Sequence, residues 1–210
     1  FIMSTSDYRH WRLEQDMDDV CWLTLDRAEE SVNSLSQEVM TELERIVSAL
    51  ESEPPRGLVM QSGKKNSFIV GADVREFDQV SNAEEAAGFM REAHKLFDRV
   101  EALPFPTAVT IDGYCLALCF DYRIARNNDA TRLGFPEVQL GIYPAFGGSM
   151  RSVRQMGGFQ ALQLMLTTRM LRAPQARALG LVDELTGPHS ELRWAARRAV
   201  LQGRKSKGPG

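Results

Sequence analysis

Three segments of this chain combine glycines with polar residues in patterns that can do chemistry. The first, Ser67-Phe68-Ile69-Val70-Gly71-Ala72-Asp73, reads as an apolar strand end turning through Gly71, with Asp73 placed to cap the next element. A strand that ends in a glycine turn leaves backbone N–H groups pointing outward, where they bind an anion or a developing oxyanion. A plain strand-to-helix turn uses the same residues. In the second segment, Gly134-Phe135-Pro136-Glu137-Val138-Gln139-Leu140-Gly141, one carboxylate is flanked by proline and apolar residues. Such surroundings disfavour ionisation and would tune Glu137 for general acid–base work, while an exposed loop glutamate has the same spelling. The third, Tyr143-Pro144-Ala145-Phe146-Gly147-Gly148-Ser149, is a glycine-bearing turn opening a helix, and capping alone accounts for it.

Other chemistries find little support. There is no Gly-x-Ser-x-Gly elbow, and Cys115 and Cys119 have no recognisable histidine partner, so they read as small core hydrophobes. Glycine-rich loops for nucleotide phosphates or dinucleotides are missing, which removes ATP and NAD as default cofactors. Cys21 and the other two cysteines form no Cys-x-x-Cys, and His10, His94 and His189 are scattered, so neither a disulfide framework nor a metal cluster is expected. Lysine plus arginine number 25 against 28 aspartates and glutamates, a net charge of −3 that is too near neutral to select nucleic acid or an anionic membrane as partner. No apolar run approaches the ~18 residues of a membrane span, and no basic-then-apolar leader opens the chain, so a cytoplasmic location is expected.

The elements that must position these segments can be read from periodicity. Val20 to Asp26 (VCWLTLD) reads as a buried strand that pairs as a hairpin with an alternating segment around Trp11 and Leu13. Ser34 and Gln37 form a capping box, after which Val39, Met40, Leu43, Ile46, Val47 and Leu50 recur at helical spacing until Pro54. Leu58-Val59-Met60, between Gly57 and Gly63, reads as a strand of a parallel sheet. Ser81 and Glu84 open a second helix with Met90, Ala93, Phe97 and Val100 on one stripe, followed by a strand at Thr107 to Ile111. Leu116 to Tyr122 reads as the body of a helix, Gly158 to Thr168 and Pro174 to Leu179 as later helices, and Leu181-Val182-Asp183 as a short strand. The expected architecture is an α/β layer fold of stacked ββα turns over residues 4–190. Residues 1–3 read as a start or cloning remnant, and 191–210 as a basic, solvated helix fading into a linker.

In this order, with Leu25-Asp26-Arg27 ahead of Asn33-Ser34-Leu35 and with Ala173 to Val182 near the end, the segments resemble the crotonase (enoyl-CoA hydratase/isomerase) superfamily from about Val20 to Leu185. Phe68 to Phe77 (FIVGADVREF), Asp112 to Leu116 (DGYCL), Asp121 to Ala125 (DYRIA) and Leu140 to Gly148 look like the hydratase domains of bacterial fatty-acid oxidation multienzymes. The resemblance implies a crotonase-like spiral, with the C-terminal helices largely truncated here. It implies an acyl-CoA thioester substrate whose carbonyl oxygen lies between two backbone N–H groups. Gly71, Ala72 and Asp73 would form the oxyanion-hole and acyl-CoA-binding turn, with the Ala72 N–H as first donor. Glu137 matches the second carboxylate of the family's acid–base pair. Tyr143, Pro144, Ala145, Phe146 and Gly147 would line the acyl pocket, and Ala145, where the family often has glycine, would narrow it. Met156, Met165 and Met170 are core or acyl-chain lining. The implied reaction is addition of water to trans-2-enoyl-CoA in fatty-acid β-oxidation, with Δ3,Δ2-enoyl-CoA isomerisation as a second activity. No cofactor is implied beyond the coenzyme A of the substrate, and the implied partners are further copies of the chain or a thiolase subunit.

One departure stands out. Between Asp112-Gly113-Tyr114-Cys115 and Leu118-Cys119-Phe120-Asp121 the superfamily carries a Gly-Gly-Gly-x-Glu stretch, which supplies the second oxyanion donor and the first catalytic glutamate. Here Cys115-Leu116-Ala117 runs straight on. A strand cannot enter a helix at Leu116 without several turn residues, and only Gly113 is left for that purpose. Set against the superfamily's pattern, about six positions are unaccounted for, and the resemblance therefore implies about six further residues in the polypeptide between Tyr114 and Asp121. A natural deletion would instead favour an isomerase, which needs one carboxylate to move one proton, or a degenerate domain that binds acyl-CoA and catalyses nothing. Glu137→Gln, nearly isosteric but unable to transfer a proton, should lower turnover by roughly 10²–10⁴-fold with little change in acyl-CoA affinity. Steady-state assays beside a binding titration measure both.

Overall fold

A computed structural model of the chain describes residues 8–77, 83–112, 114–115, 118–135, 147–187 and 189–204. Strands β1 (Trp11–Gln15) and β2 (Val20–Leu25) form the expected hairpin, with Trp11 opposite Leu25. Helix α1 (Gln37–Ser52) leads into β3 (Gly57–Ser62), which pairs parallel to β2. The short α2 (Val74–Phe77) and the long α3 (Ala83–Ala102) precede β4 (Thr107–Ile111). Then come β5 (Tyr114–Cys115), β6 (Tyr122–Arg126) and β7 (Arg132–Leu133). After α4 (Gly148–Met156) and α5 (Gly158–Thr167) come β8 (Leu171–Arg172), α6 (Ala173–Ala178), β9 (Glu184–Thr186) and α7 (His189–Leu201).

One sheet has the order β1-β2-β3-β4-β6-β9 and a second the order β5-β7-β8. From β4 onward successive strands are shared between the sheets: β4, β6 and β9 lie parallel in the first, β5 and β7 parallel in the second. That alternation is the stacked-turn architecture expected from the sequence.

The large sheet is covered on both faces, as parallel sheets generally are. Alternate residues divide between two cores. Cys21, Leu23, Leu25, Leu58, Met60, Val109 and Ile111 pack with α1 and α3. Val20, Trp22, Val59, Ala108 and Ile124 pack under Leu192, Ala195, Ala196, Ala199 and Val200 of α7. The helix beginning at 189 is thus part of the layered unit, which corrects the domain boundary expected at 190. Its arginines line the outward side: Arg197 pairs with Asp16 at 2.9 Å and Arg198 with Glu184 at 2.6 Å.

Four local expectations change. The α1 cap is Ser36, whose Oγ accepts from the Val39 N–H at 3.2 Å, and not Ser34, whose hydroxyl is taken by Arg27. Phe68 to Val70 form no strand; Ala72 makes only a single parallel bridge to Leu35. The short strand near the end is Glu184–Thr186, because Leu181 and Asp183 bond the Arg123 side chain and set the register Ile124 to Glu184.

The fourth change concerns the crossover from β4 to β6. In this sequence residues 112–121 join these two strands, without the Gly-Gly-Gly-x-Glu stretch. Among the described residues the helix expected at 116–122 does not form: residues 118–120 are turn and bend, and Tyr122 already lies in β6 opposite Ala108. Ten residues is close to the minimum for joining parallel neighbours. Asp121 closes this connection by accepting from the Thr107 N–H at 3.0 Å, while its own N–H donates to the Thr107 hydroxyl at 3.0 Å.

Arg123 holds the crossover against later elements. It is 1% exposed, and its guanidinium donates to Leu181 O at 2.8 Å, Phe120 O at 3.1 Å and Gln155 Oε1 at 3.1 Å while pairing with Asp183 at 3.0 Å. Replacing it by Met keeps most of the volume but removes the guanidinium paired with Asp183 and the donor to two carbonyls, so Arg123→Met should lower stability by roughly 3–5 kcal/mol, the range for breaking a buried pair. Urea unfolding followed by circular dichroism gives the value.

Candidate active site

The Gly71–Ala72 turn is assembled by residues 27–35. Asn33 is fully buried; its Nδ2 donates to Leu25 O at 2.9 Å and to Ser62 Oγ at 3.0 Å, and its Oδ1 accepts from the Arg27 N–H at 2.9 Å. One side chain therefore ties the ends of β2 and β3 to the segment between β2 and α1. Its carbonyl then accepts from the Val70 N–H at 2.9 Å. Two residues on, the Leu35 N–H donates to Gly71 O at 2.8 Å, and Leu35 O accepts from the Asp73 N–H at 3.1 Å. When residue 35 bonds 71 and 73, the N–H and C=O of residue 72 face the opposite edge. The Ala72 N–H has no acceptor among the described residues. Gly71 makes this geometry accessible: its φ is +120°, a conformation costly for any residue with a Cβ, although open space surrounds the position.

Asp73, expected in the acyl-CoA-binding turn, has its carboxylate fully engaged. Arg75 donates to it at 3.0 and 2.9 Å, and Arg27, itself largely buried, pairs with it at 2.6 Å. The hydrogen bonds from Arg75 and then Arg27 hold the carboxyl far below its ordinary value against the opposing effect of burial. Asp73 positions the turn and caps α2 through the Arg75 N–H at 3.2 Å. Arg27 and Asn33 belong to the stretches that carry the family resemblance, but their roles here could not be read from sequence. Arg27 meets Asp73 only because the turn folds back on residue 35.

Gly147, expected in the acyl pocket, is the left-handed cap of α4, with φ +76°, and lies against Arg151 and His94. Arg151 is 5% exposed on its side chain and joins α4 to α3 through Asp98 at 2.6 Å and Glu101 at 3.0 Å. Glu137, Tyr143, Pro144, Ala145 and Phe146 lie outside the described residues. Cys119 is buried, and burial pushes its thiol up to about 12, which leaves it inert. Among the described residues no cluster of histidine, cysteine and carboxylates is arranged for a metal ion.

Beside Asp73 and Glu76 a groove of 490 Å³ opens between α1 and α3. Met40, Phe89, Ala93 and Leu96 line it together with Glu44 and Glu92. Lys95 and Arg99 line it too, paired with Glu92 and Glu51 at 2.7 Å each.

Comparison with known proteins identifies the family and the fold. Residues 15–206 match the family described as enoyl-CoA hydratase/isomerase. The fatty acid oxidation complex subunit alpha of Vibrio vulnificus is 37% identical over an alignment that covers 95% of this chain and 29% of that protein. That of Aliivibrio fischeri is 38% identical, over 92% of this chain and 29% of its own length. The chain thus spans less than a third of these relatives. Among solved structures, an enoyl-CoA hydratase from Bacillus anthracis superposes with a TM-score of 0.82 at 28% identity, covering 90% of this chain and 75% of that one. One from Thermoplasma volcanium gives 0.82 at 27% identity, covering 95% and 79%.

Asp73 also makes stability depend on pH in a defined sense. Because its folded-state pKa is depressed, its contribution is complete above the ordinary carboxylate value and fades as pH falls toward the folded-state value. Asp73→Asn should cost about 3 kcal/mol at neutral pH, as for a broken buried pair, and the difference from the parent should shrink below about pH 4. Denaturant unfolding of both proteins across that range tests the magnitude and the sign.

Proposed function

The chain belongs to the enoyl-CoA hydratase/isomerase family, and from that premise we propose that it acts on enoyl-CoA thioesters of fatty-acid β-oxidation, adding water to the trans-2 double bond. The observation that carries this reading is the outward Ala72 N–H, locked between two bonds to Leu35 and without an acceptor of its own among the described residues. A thioester carbonyl placed there gains a donor whose bond strengthens as negative charge develops on the oxygen, so the enolate is stabilised more than the substrate. Glu137 is the group to carry the proton, and residues 143–147 are to hold the acyl chain near it. Coenzyme A enters as part of the substrate, and the residues assigned here require no resident cofactor. The names of the relatives support a partner subunit within a fatty acid oxidation complex; a thiolase as that partner and a cytoplasmic setting belong to the same proposal. Among the described residues no helix is long and apolar enough to cross a membrane.

A second reading is favoured by the ten-residue crossover. The stretch that would bring a second oxyanion donor and a second carboxylate is not in the chain. Adding water requires the nucleophile to be held and deprotonated while Cα is protonated, a task suited to two carboxylates. Moving a double bond from C3 to C2 transfers one proton between two carbons, which Glu137 can do alone.

Parallel assays with a 2-enoyl-CoA and a 3-enoyl-CoA separate the readings. Hydration that is lost in Glu137→Gln supports the first, and isomerisation without hydration selects the second. Acyl-CoA binding with neither reaction would overturn both. On either reading Gly71→Val, which distorts the donor turn, should lower turnover about 100-fold, the typical cost of one oxyanion donor.

A further inference from the structure

The stretch from 148 to 182 has a charge pattern unlike the rest of the chain. It contains Arg151, Arg154, Arg169, Arg172 and Arg177, with no lysine, aspartate or glutamate, although the whole chain carries −3. Arg151 is buried and committed to Asp98 and Glu101. The side chains of Arg154 and Arg172 are 60% and 65% exposed, and the carboxylates facing them, Glu101 and Asp129, are each 3.7 Å away. Arg169 and Arg177 are exposed as well.

The same stretch gathers exposed apolar side chains. Met150 and Val153 of α4 and Phe159, Leu162 and Leu166 of α5 all face solvent, with Phe159 81% exposed just beyond the Gly157-Gly158 corner. Phe159, Leu162 and Leu166 recur at i, i+3 and i+7, one stripe of an uncharged helix that buries Ala161 and Leu164 on its other side. Elsewhere among the described residues Met17, Val32, Val70 and Trp194 are exposed singly.

Apolar stripe and arginines together restrict what can cover this face. A second copy placed by a two-fold axis would set arginines against arginines, which weakens association. An anionic bilayer satisfies both features, because apolar side chains enter the headgroup–acyl boundary while guanidinium groups meet phosphates. We propose that α4 and α5 dock this protein peripherally on an anionic lipid surface, with Phe159, Leu162 and Leu166 inserted and Arg154, Arg169 and Arg172 at the phosphate level.

Flotation of the 210-residue protein with vesicles tests this. The protein should float with phosphatidylcholine vesicles containing phosphatidylglycerol and remain behind with phosphatidylcholine alone, and added salt should weaken the binding. Both Phe159→Ser/Leu162→Ser and Arg154→Gln/Arg172→Gln should lower affinity by about tenfold or more, since each removes two of the contacts that set interfacial binding. All four side chains are more than half exposed, so thermal unfolding of both variants should match the parent. The proposal is overturned if the parent ignores the anionic vesicles, or if both variants bind them like the parent. It is equally overturned if sedimentation finds a dimer of the parent that Phe159→Ser/Leu162→Ser dissolves, since a second copy would then cover the face.

Discussion

The two backbone bonds that Leu35 makes to Gly71 and Asp73 are the constraint on which the site rests. They fix one residue, Ala72, with its N–H turned outward, and they do so only because the segment carrying Leu35 is itself anchored. Asn33 supplies that anchor by committing its amide to the ends of β2 and β3 and to Arg27. The Arg27–Asp73 pair then closes the circuit on the far side of the turn. Every link joins groups that are local to a strand end, so the rigidity of the sheet passes directly to the donor. A backbone N–H held this way needs little reorganisation when charge develops in front of it, which is the physical meaning of a preorganised site.

How much of this is legible in the sequence depends on the range of the interaction. The β1–β2 hairpin, α1, β3 and β4 emerge from periodicity, because one apolar face per element is a local property. The Gly71 turn is also legible, since only glycine is at ease with its dihedral angle. What Asp73 does there is not, because its partner Arg27 is brought to it by the bridge at Leu35. Residues 116–122 mislead for a related reason: a short apolar run does not distinguish helix from strand. What decides is the β4 register, into which Tyr122 is drawn. Arg123 conceals the assignment further, since a charged residue in a strand suggests exposure, whereas this one has a complete set of buried acceptors.

The fold and the chemistry therefore draw on different parts of the same connection. Asp121 with Thr107, and Arg123 with Leu181 and Asp183, suffice to seat β6 beside β4. These groups are committed to one another and to the backbone at the β4–β6 junction. The superfamily's glycine-rich stretch contributes to a reaction, and this chain shows that the sheet closes without it.

That separation has an entropic side. Because the ladder from Ala108 to Ile111 fixes the neighbouring strand whatever lies between, the span from 112 to 121 is a loop whose length enters the free energy only logarithmically. Lengthening it from ten residues to sixteen would cost about 0.4 kcal/mol of closure entropy, far less than a single buried contact contributes. Gain or loss of a catalytic stretch at this point is thus nearly neutral for folding. The length of this span can therefore change while the pairing of β4 with β6 persists.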